Sequence, residues 1–191
     1  MRVVGGTWRG RMLKAPEGRG ARPTTDRMRE SIASMVLSEQ GLNLADERVL
    51  DAFAGSGAMG IELLSRGAAS CTFCEQNRHA ASVIRANCEE LMGRSDRWHV
   101  LVGDVTRIAS GTTLVGGPFS IVFLDPPYAM PAAAVADVVQ SLVSYGHLTN
   151  DCLVVYERAA NSEAMVLARA RLIRTKKHGG TCVDTLRMED A

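Results

Sequence analysis

The spacing of apolar positions changes near residue 48 of this chain. Beyond it, short apolar runs alternate with segments whose apolar residues recur every three or four positions, which predicts strands alternating with helices. The predicted strands cover residues 49–53, 71–75, 98–102, 120–124 and 153–156. The predicted helices cover residues 57–66, 79–91, 131–145 and a segment near 163–168. Residues 171–176 and 181–188 flank two glycines and predict a closing antiparallel hairpin.

Repeated strand–helix units predict an α/β fold with a mostly parallel sheet and helices on both faces. With the closing hairpin, the sheet has seven strands and is Rossmann-like. In such a sheet the ligand lies beyond the carboxyl ends of the strands. Candidate functional residues are therefore expected directly after the first four strands.

The first 45 residues follow another pattern. Residues 2–14 predict a short β-hairpin that turns through Gly6 to Gly10, and a loop rich in glycine and proline follows at 16–23. Thr24 or Thr25 then caps a helix that continues through Val36. We expect residues 1–45 to form a small extension on a catalytic domain that covers 46–191.

The composition fits one globular domain, because 46% of the 191 residues are apolar and 23% are charged. No apolar run reaches the roughly 18 residues that a membrane span needs, and no signal peptide is evident, so a soluble cytoplasmic protein is expected. Five scattered cysteines argue against a disulfide framework. Cys71 and Cys74 lie three apart on a predicted strand and should face opposite sides, and the histidines show no ligand spacing. No metal is expected.

Charge is divided unevenly along the chain. The net charge is +5 over residues 1–31, −7 over 32–168 and +3 over 169–191. Basic patches attract polyanions, although they can also be ordinary solvated faces. In the first segment an aromatic residue and several glycines are interleaved with arginines, which favours nucleic acid as the partner. The candidate RNA contacts are Trp8, Arg9, Arg11, Arg22, Arg27 and Arg29.

A glycine-rich loop follows the first predicted strand of the α/β region. Its Gly55-x-Gly57-x-x-Gly60 spacing allows a tight turn and close approach of a ligand to the backbone. Glu75 ends the second strand, where a carboxylate can accept hydrogen bonds from both hydroxyls of a ribose. Because NAD and S-adenosylmethionine both carry such a ribose, these residues do not separate the two cofactors.

Two further carboxylates follow strands. Asp104, after the third strand, lies where an adenine amino group could be held. Asp51, in the first strand beside the glycine loop, would face the amino-acid end of S-adenosylmethionine, whose ammonium favours a carboxylate. Each of the two could instead serve only to cap backbone N–H groups.

The sequence Asp125-Pro126-Pro127-Tyr128 follows the fourth predicted strand. Its prolines fix the backbone and remove two N–H donors, which leaves the Asp125 carboxylate and the Pro126 carbonyl as acceptors beside one aromatic ring. Two acceptors can bind the NH₂ group of a planar base while Tyr128 stacks on its ring. Holding the nitrogen lone pair toward a methyl carbon would favour in-line displacement, mainly by positioning.

These motifs carry a family resemblance. Asp51-x-Phe53-x-Gly55-Ser56-Gly57, Glu75, Asp104 and the Asp-Pro-Pro-Tyr sequence resemble the class I S-adenosylmethionine-dependent amino-methyltransferases. The N-terminal sequences at 4–11 and 22–30 resemble, more specifically, the small-subunit methyltransferase D family of bacterial 16S rRNA (guanine-N2) methyltransferases. The resemblance implies that Asp51, Phe53, Gly55, Ser56, Gly57, Glu75 and Asp104 bind the cofactor and that residues 125–128 are catalytic.

The resemblance also implies the substrate. It is the exocyclic N2 amino group of a guanine in 16S rRNA. The rRNA is expected to be methylated within a small-subunit particle or assembly intermediate, and the enzyme is expected to be a monomer. Three alternatives remain open on the residues alone: methylation of adenine N6 in DNA or of a protein glutamine amide, an NAD-dependent oxidoreductase, and a non-catalytic RNA-binding module. The oxidoreductase leaves the Asp-Pro-Pro-Tyr sequence unexplained.

Overall fold

The computed structural model describes residues 1–16 and 25–190. Within them seven strands form one sheet in the order β3-β2-β1-β4-β5-β7-β6. The strands are β1 (Arg48–Asp51), β2 (Ser70–Glu75), β3 (Trp98–Val102), β4 (Phe119–Leu124), β5 (Leu148–Ala159), β6 (Ala170–His178) and β7 (Thr181–Met188). β1 to β5 pair in parallel, and β7 runs antiparallel to both β5 and β6. The predicted Rossmann-like sheet with its closing hairpin is confirmed.

Helices cover both faces of the sheet. They are α1 (Asp26–Glu39), α2 (Ala58–Ser65), α3 (Arg78–Met92), α4 (Val105–Ile108) and α5 (Ala132–Ser144). Apolar residues of α1, α2 and α3 share one core cluster, and those of α4 and α5 share the other. Cys71 lies in the first cluster and Cys74 in the second, as the period of two along β2 requires. No helix in the described ranges is long and apolar enough to cross a membrane.

The predicted helix near 163–168 is wrong. Residues 163–167 have no regular structure, although Met165 is buried in the second core cluster. Ala159 and His178 both pair with Thr181, whereas Ala170 pairs with Met188, so residues 160–169 must return along the full length of β7. That distance is about 25 Å at ~3.3 Å per residue, and ten helical residues would cover only about 15 Å. The connection is therefore extended.

Two other differences concern short or extended elements. The single-turn helix α4 was not expected; it begins at Val105 and is capped by Asp104, whose side chain accepts a hydrogen bond from the N–H of Thr106. β5 begins five residues before the predicted start, at Leu148, because Leu148 pairs with Phe119 ahead of an irregularity in which β5 advances five residues, to Leu153, while β4 advances two, to Ile121. The remaining predicted strands and helices from 48 onward are confirmed, with ends that differ by one or two residues.

The N-terminal extension forms the predicted hairpin, with a bridge between Arg2 and Met12. The next helix, α1, is capped by the Thr25 side chain, which accepts a hydrogen bond from the N–H of Met28. Val3 and Leu13 of the hairpin are buried in the core cluster shared by α1, α2 and α3. Residues 1–16 and 25–45 thus share a hydrophobic core with the predicted catalytic domain.

The hairpin is attached to α2 through one buried carboxylate. Glu62 is 1% exposed and accepts hydrogen bonds from the backbone N–H groups of Val4 and Gly5, both at 2.8 Å. The Arg66 guanidinium lies 2.8 Å from the same carboxylate and 2.6 Å from Glu30 of α1. A buried charge is stable only when it is paired and fully hydrogen-bonded. Glu62 therefore joins the hairpin and α1 to α2.

Asn87 of α3 attaches the other end of the hairpin. Its side-chain oxygen accepts from the Lys14 N–H at 2.9 Å, and its amide nitrogen donates to the Lys14 carbonyl at 3.0 Å. Asn87 is buried, so both of its polar atoms need these partners. The two attachments fix the hairpin to consecutive helices of the α/β region.

Replacing Glu62 by alanine should lower the free energy of unfolding by about 3 kcal/mol, because two backbone N–H groups and one arginine lose a buried partner. Urea denaturation measures the change. Glu89→Ala, which removes an exposed carboxylate from α3, is the matched control and should change stability by less than about 0.5 kcal/mol. Equal effects of the two substitutions would show that Glu62 does not hold the extension.

Candidate active site

Three carboxylates converge at the carboxyl edge of the parallel strands. Asp51 ends β1 and pairs with Phe73 of β2 and Phe123 of β4. Glu75 ends β2, and Asp125 follows the last residue of β4. Since β1 lies between β2 and β4, the three side chains are brought to adjacent positions at one edge. This is the edge at which ligands of doubly wound sheets bind.

Two of these carboxylates hold the glycine loop. The N–H of Gly55 donates to Glu75 Oε2 at 2.7 Å, and the N–H of Gly60 donates to Asp51 Oδ2 at 3.0 Å. The other oxygen of Glu75 accepts from the N–H of Asn77 at 2.7 Å, which also fixes the turn into α3. The bonds from Gly55 and Gly60 satisfy backbone N–H groups at the start and end of the glycine sequence. The loop between β1 and α2 is therefore fixed by Glu75, and the first turn of α2 by Asp51 of the neighbouring strand.

The three glycines of the glycine-rich sequence have different structural roles. A Cβ on Gly60 would collide with the Phe73 ring and stand 2.6 Å from the Cys71 sulfur, so this glycine allows α2 to pack against β2. Gly57 has φ +73° and faces Ile84 of α3. Gly55 has φ +52°, and no atom lies within 4 Å of the position that its Cβ would take. The open space beside the loop is thus at Gly55.

Ser56 and Phe53 complete the loop. Both are half-buried, and Phe53 packs against the core cluster that α5 covers. Phe53 lies on the β1 side of Gly55 and Ser56 on the α2 side, and both are at the same edge of the sheet as the carboxylates. All of the predicted cofactor residues from 51 to 57 and Glu75 are therefore brought together.

Burial sets the protonation of two of the carboxyls. It raises the pKa of Asp51 to about 7, against the lowering effect of the Gly60 N–H, and the charges of Asp125 and Glu75 raise this pKa further. Burial also raises the pKa of Asp125 to about 6. A carboxyl whose ionised form is disfavoured in this way gains from a cationic neighbour, because the opposite charge restores the ionised form.

Asp104 lies at the same edge but differs from the other carboxylates. It is exposed and caps the single turn of α4 through Thr106 at 3.0 Å, so the capping role that the sequence left open is present. β3 lies next to β2 in the sheet, which places Asp104 on the β2 side of the glycine loop. A carboxylate has further acceptor capacity when one oxygen caps a helix.

The Asp-Pro-Pro-Tyr sequence leads from the buried end of β4 to solvent. Pro126 is buried, Pro127 is exposed, and the Tyr128 side chain is 63% exposed. The N–H of Met130 donates to the Pro127 carbonyl at 2.8 Å and closes a turn before α5. The segment therefore presents one carboxylate from a partly buried position and one aromatic ring from an exposed one.

The candidate RNA contacts are not brought to one place. The N–H of Trp8 donates to Ser65 Oγ at the last residue of α2, and Trp8 is half-buried against the core. Because α2 starts at the glycine loop and is about 12 Å long, Trp8 and the neighbouring Arg9 lie at its far end. Arg11 is exposed and lies 3.8 Å from Glu90 of α3.

One member of that set requires correction. Arg29 is only 2% exposed, lies 2.6 Å from Asp26 and donates to the Arg2 carbonyl at 2.9 Å. Its guanidinium is directed into the protein, so Arg29 is a structural residue and is not presented to RNA. Arg27, two positions earlier, is exposed in the first turn of α1. Arg22 lies outside the described residues.

The chain is similar to known proteins over nearly its whole length. The family model described as Conserved hypothetical protein 95 matches residues 1–187. The Ribosomal RNA small subunit methyltransferase D of Escherichia coli (strain K12) is 34% identical over 180 residues, which are 94% of this chain and 85% of that protein. This chain belongs to the small-subunit methyltransferase D family.

Other members extend the comparison. The protein of the same name from Haemophilus influenzae is 29% identical over 94% of this chain and 89% of its own length. The solved structure of Escherichia coli yhhF superposes with a TM-score of 0.82 and 31% identity, and covers 100% of this chain and 99% of that one. The same fold occurs in magnesium protoporphyrin IX methyltransferase from Synechocystis, whose solved structure holds S-adenosylmethionine and superposes with a TM-score of 0.64 at 14% identity, covering 85% of this chain and 79% of that one. The family that the sequence motifs indicated is confirmed.

Two residues that attach the N-terminal hairpin to the α/β region were missed from the sequence. Glu62 is the one charged residue in the otherwise apolar stretch Ala58–Ser65, and all residues of that helix are buried. Asn87 is similarly buried on the inner face of α3. A lone charge inside an apolar helix signals a buried partner. Arg66, four residues on, is the partner that the sequence could have indicated, whereas the two backbone N–H groups carry no signal in the sequence.

Substituting two glycines of the loop should separate packing from ligand contact. Gly60→Ala should destabilise the protein by about 1–3 kcal/mol through overpacking against β2, with little effect on affinity for S-adenosylmethionine. Gly55→Ala should cost only about 1 kcal/mol of backbone strain but lower that affinity at least about tenfold, since its methyl group enters the open space. Urea denaturation and calorimetric titration measure both effects. The reverse pattern would place the cofactor elsewhere.

Stability should fall as pH rises through the range in which Asp51 ionises. Because its pKa is raised to about 7 in the folded protein, Asp51 keeps a proton there that the unfolded chain has already lost. This contribution is fully present below the ordinary carboxyl pKa and is lost as pH rises toward about 7, at up to about 1.4 kcal/mol per pH unit. Urea denaturation from about pH 5 to about pH 8 should show the slope.

Asp51→Asn should flatten that slope, and Asp137→Asn, at an exposed position in α5, should leave it unchanged. Asp125, with a pKa raised to about 6, accounts for the slope that remains in the Asp51 variant. A profile that rises with pH in the wild-type protein would contradict the assignment.

Proposed function

We propose that this protein transfers a methyl group from S-adenosylmethionine to the exocyclic N2 amino group of a guanine in 16S rRNA. The observation that carries the proposal is the position of Asp125 to Tyr128. They follow β4, the strand next to β1, at the edge of the sheet from which the glycine loop leaves, and their acceptors and aromatic ring suit an amino group on a planar base.

The residues present fit the cofactor. Gly55 leaves space for close approach to the backbone, and Glu75 can accept from ribose hydroxyls with the lone pairs that its two backbone hydrogen bonds leave free. The Asp51 carboxyl, buried and raised in pKa, favours a cationic ammonium beside it. Asp104 would hold the adenine amino group from the β3 side. Phe53, Ser56 and Gly57 shape the loop that these groups surround.

The proposed chemistry is positioning of one nitrogen. S-adenosylmethionine supplies a methyl carbon activated by its sulfonium. The Asp125 carboxylate and the Pro126 carbonyl each accept a hydrogen bond from one N–H of the target amine. These two hydrogen bonds turn the lone pair of the amine nitrogen out of conjugation with the ring of the base. Tyr128 stacks on the base, and Pro127 keeps the backbone rigid. With a pKa of about 6, Asp125 is mostly ionised at neutral pH and can accept.

The substrate assignment rests on the family. The Escherichia coli relative is named for the ribosomal RNA of the small subunit, and the sequence resemblance specifies guanine N2 within 16S rRNA. A catalytic region of this size, without a separate recognition domain among the described residues, would recognise the shape of a folded RNA. We place the enzyme in the cytoplasm as a monomer that acts on a small-subunit particle, with the base turned out of its stack.

Asp125→Asn tests this assignment directly. The substitution keeps the size of the side chain but replaces a charged acceptor oxygen by an NH₂ group, so kcat should fall about 100-fold or more. The substrate is small-subunit particles that lack the modification, with methyl-labelled S-adenosylmethionine. Label should appear on a guanine N2 of 16S rRNA with the wild-type enzyme.

Affinity for S-adenosylmethionine should change little in Asp125→Asn, and Asp137→Asn should retain full activity as the matched control. Label on adenine N6 of DNA or on a protein glutamine would move the enzyme to those acceptors. An unlabelled particle, despite measured cofactor binding, would reject the rRNA assignment.

A further inference from the structure

The last strands of the chain bring a second set of basic residues to the catalytic edge. β6 runs antiparallel to β7, which runs antiparallel to β5, so β6 ends at the same edge of the sheet as β4. The strand pairs align, in order across the sheet, Leu124, Tyr156, Asp184 and Thr175. One residue further along its strand, Lys176 is level with Asp125. Three strand spacings of about 4.8 Å separate them, or about 14 Å.

The start of α1 lies against the same part of β6. The Lys176 ammonium donates to Ser31 Oγ at 2.8 Å, and the His178 ring nitrogen lies 3.3 Å from that oxygen. The pKa of His178 is lowered, first by burial and then by the positive charges of Lys176 and Arg27. These contacts place Arg27, from one end of the chain, beside basic residues from the other end.

No acidic side chain among the described residues pairs with the positive charges of this region. We use the name basic flank for Arg27, Arg174, Lys176 and Lys177, which are all exposed. Within residues 1–16 and 25–190, none of the four forms an ion pair. The acids of α1 nearest to Arg27 have other partners, since Asp26 binds Arg2 and Arg29, and Glu30 binds Arg66.

We propose that the basic flank binds the phosphate backbone of the RNA next to the target nucleotide. A separation of about 14 Å corresponds to about four nucleotides at a rise of ~3.4 Å each. Lysine and arginine that contact phosphates position a nucleic acid without identifying its bases. The inference rests on the proposed function and adds to it the surface that holds the substrate beside Asp125.

Charged residues on an edge strand can also serve only to prevent strand pairing between molecules. β6 is such an edge, and Arg169 and Arg171 lie exposed at its other end, away from the catalytic edge. They offer a matched control. Lys176→Gln/Lys177→Gln removes two positive charges at the end of β6 that lies near the level of Asp125, and Arg169→Gln/Arg171→Gln removes two at and just before its beginning. The second change also breaks the exposed Arg171–Glu189 ion pair, which contributes little to stability.

The experiment measures binding to unmodified small-subunit particles over a series of salt concentrations. Lys176→Gln/Lys177→Gln should reduce the slope of log affinity against log salt by about 1.6, because each lost phosphate contact removes about 0.7–0.9. KM for the particle should rise several-fold, while affinity for S-adenosylmethionine and the urea midpoint stay unchanged. Arg169→Gln/Arg171→Gln should match the wild-type protein in all four measurements.

Equal behaviour of the two double variants, with an active wild-type enzyme, would overturn the basic flank and leave the proposed function intact. A wild-type enzyme that neither binds nor labels the particle would overturn both. A photo-crosslinking residue at position 177 (Lys177→benzoylphenylalanine) identifies the partner: crosslinks to rRNA support the inference, and crosslinks to ribosomal protein alone overturn it.

Discussion

Carboxylates that accept hydrogen bonds from backbone N–H groups hold this structure together at its functional edge. Asp51 and Glu75 come from neighbouring strands; Glu75 binds the N–H of Gly55 in the loop between β1 and α2, and Asp51 binds the N–H of Gly60 in the first turn of α2. The loop contains glycines with positive φ, which are conformationally free until something fixes them. Two carboxyl groups on a rigid parallel sheet supply that constraint as hydrogen-bond acceptors. The position of α2, and of everything packed on it, follows from where this loop leaves the sheet.

The same device is used once more on α2 and gives the N-terminal hairpin its place. Glu62 binds two backbone N–H groups of the hairpin from inside an apolar helix, and Asn87 of α3 binds both polar groups of Lys14. Because Glu62 is fully buried, losing either of its two backbone N–H partners would leave its carboxylate without a hydrogen bond in an apolar environment. The extension is consequently part of the same packed body as the cofactor loop, and the arginine that completes the network also fixes α1.

Periodicity and motif order predicted most of the sheet and the whole set of carboxylates at its edge, because a parallel strand must bury a continuous apolar run and its ligands must follow that run. The predictions that failed concern features that depend on distances in the folded chain or on contacts between residues far apart in the sequence. A helix at 163–168 is compatible with its residues but too short to return along β7. Arg29 belongs to a basic segment that predicted RNA contacts, but its side chain is buried beside Asp26. The two basic ends of the chain lie side by side because of the order of β5, β7 and β6 in the sheet, and local sequence patterns do not predict this order.

The distribution of charge at the catalytic edge constrains how RNA can approach it. Asp51, Glu75 and Asp125 lie close enough for the charges of the latter two to raise the pKa of Asp51, so this centre repels phosphate. A neutral base can enter such a centre and use its carboxylate as an acceptor, whereas the sugar–phosphate chain cannot follow it. On the proposed function, the backbone must therefore be held to one side while the base alone reaches Asp125. The basic flank lies at that side, level with Asp125 and separated from it by three strand spacings, which lets one sheet edge bind a polyanion and exclude it from the reacting centre.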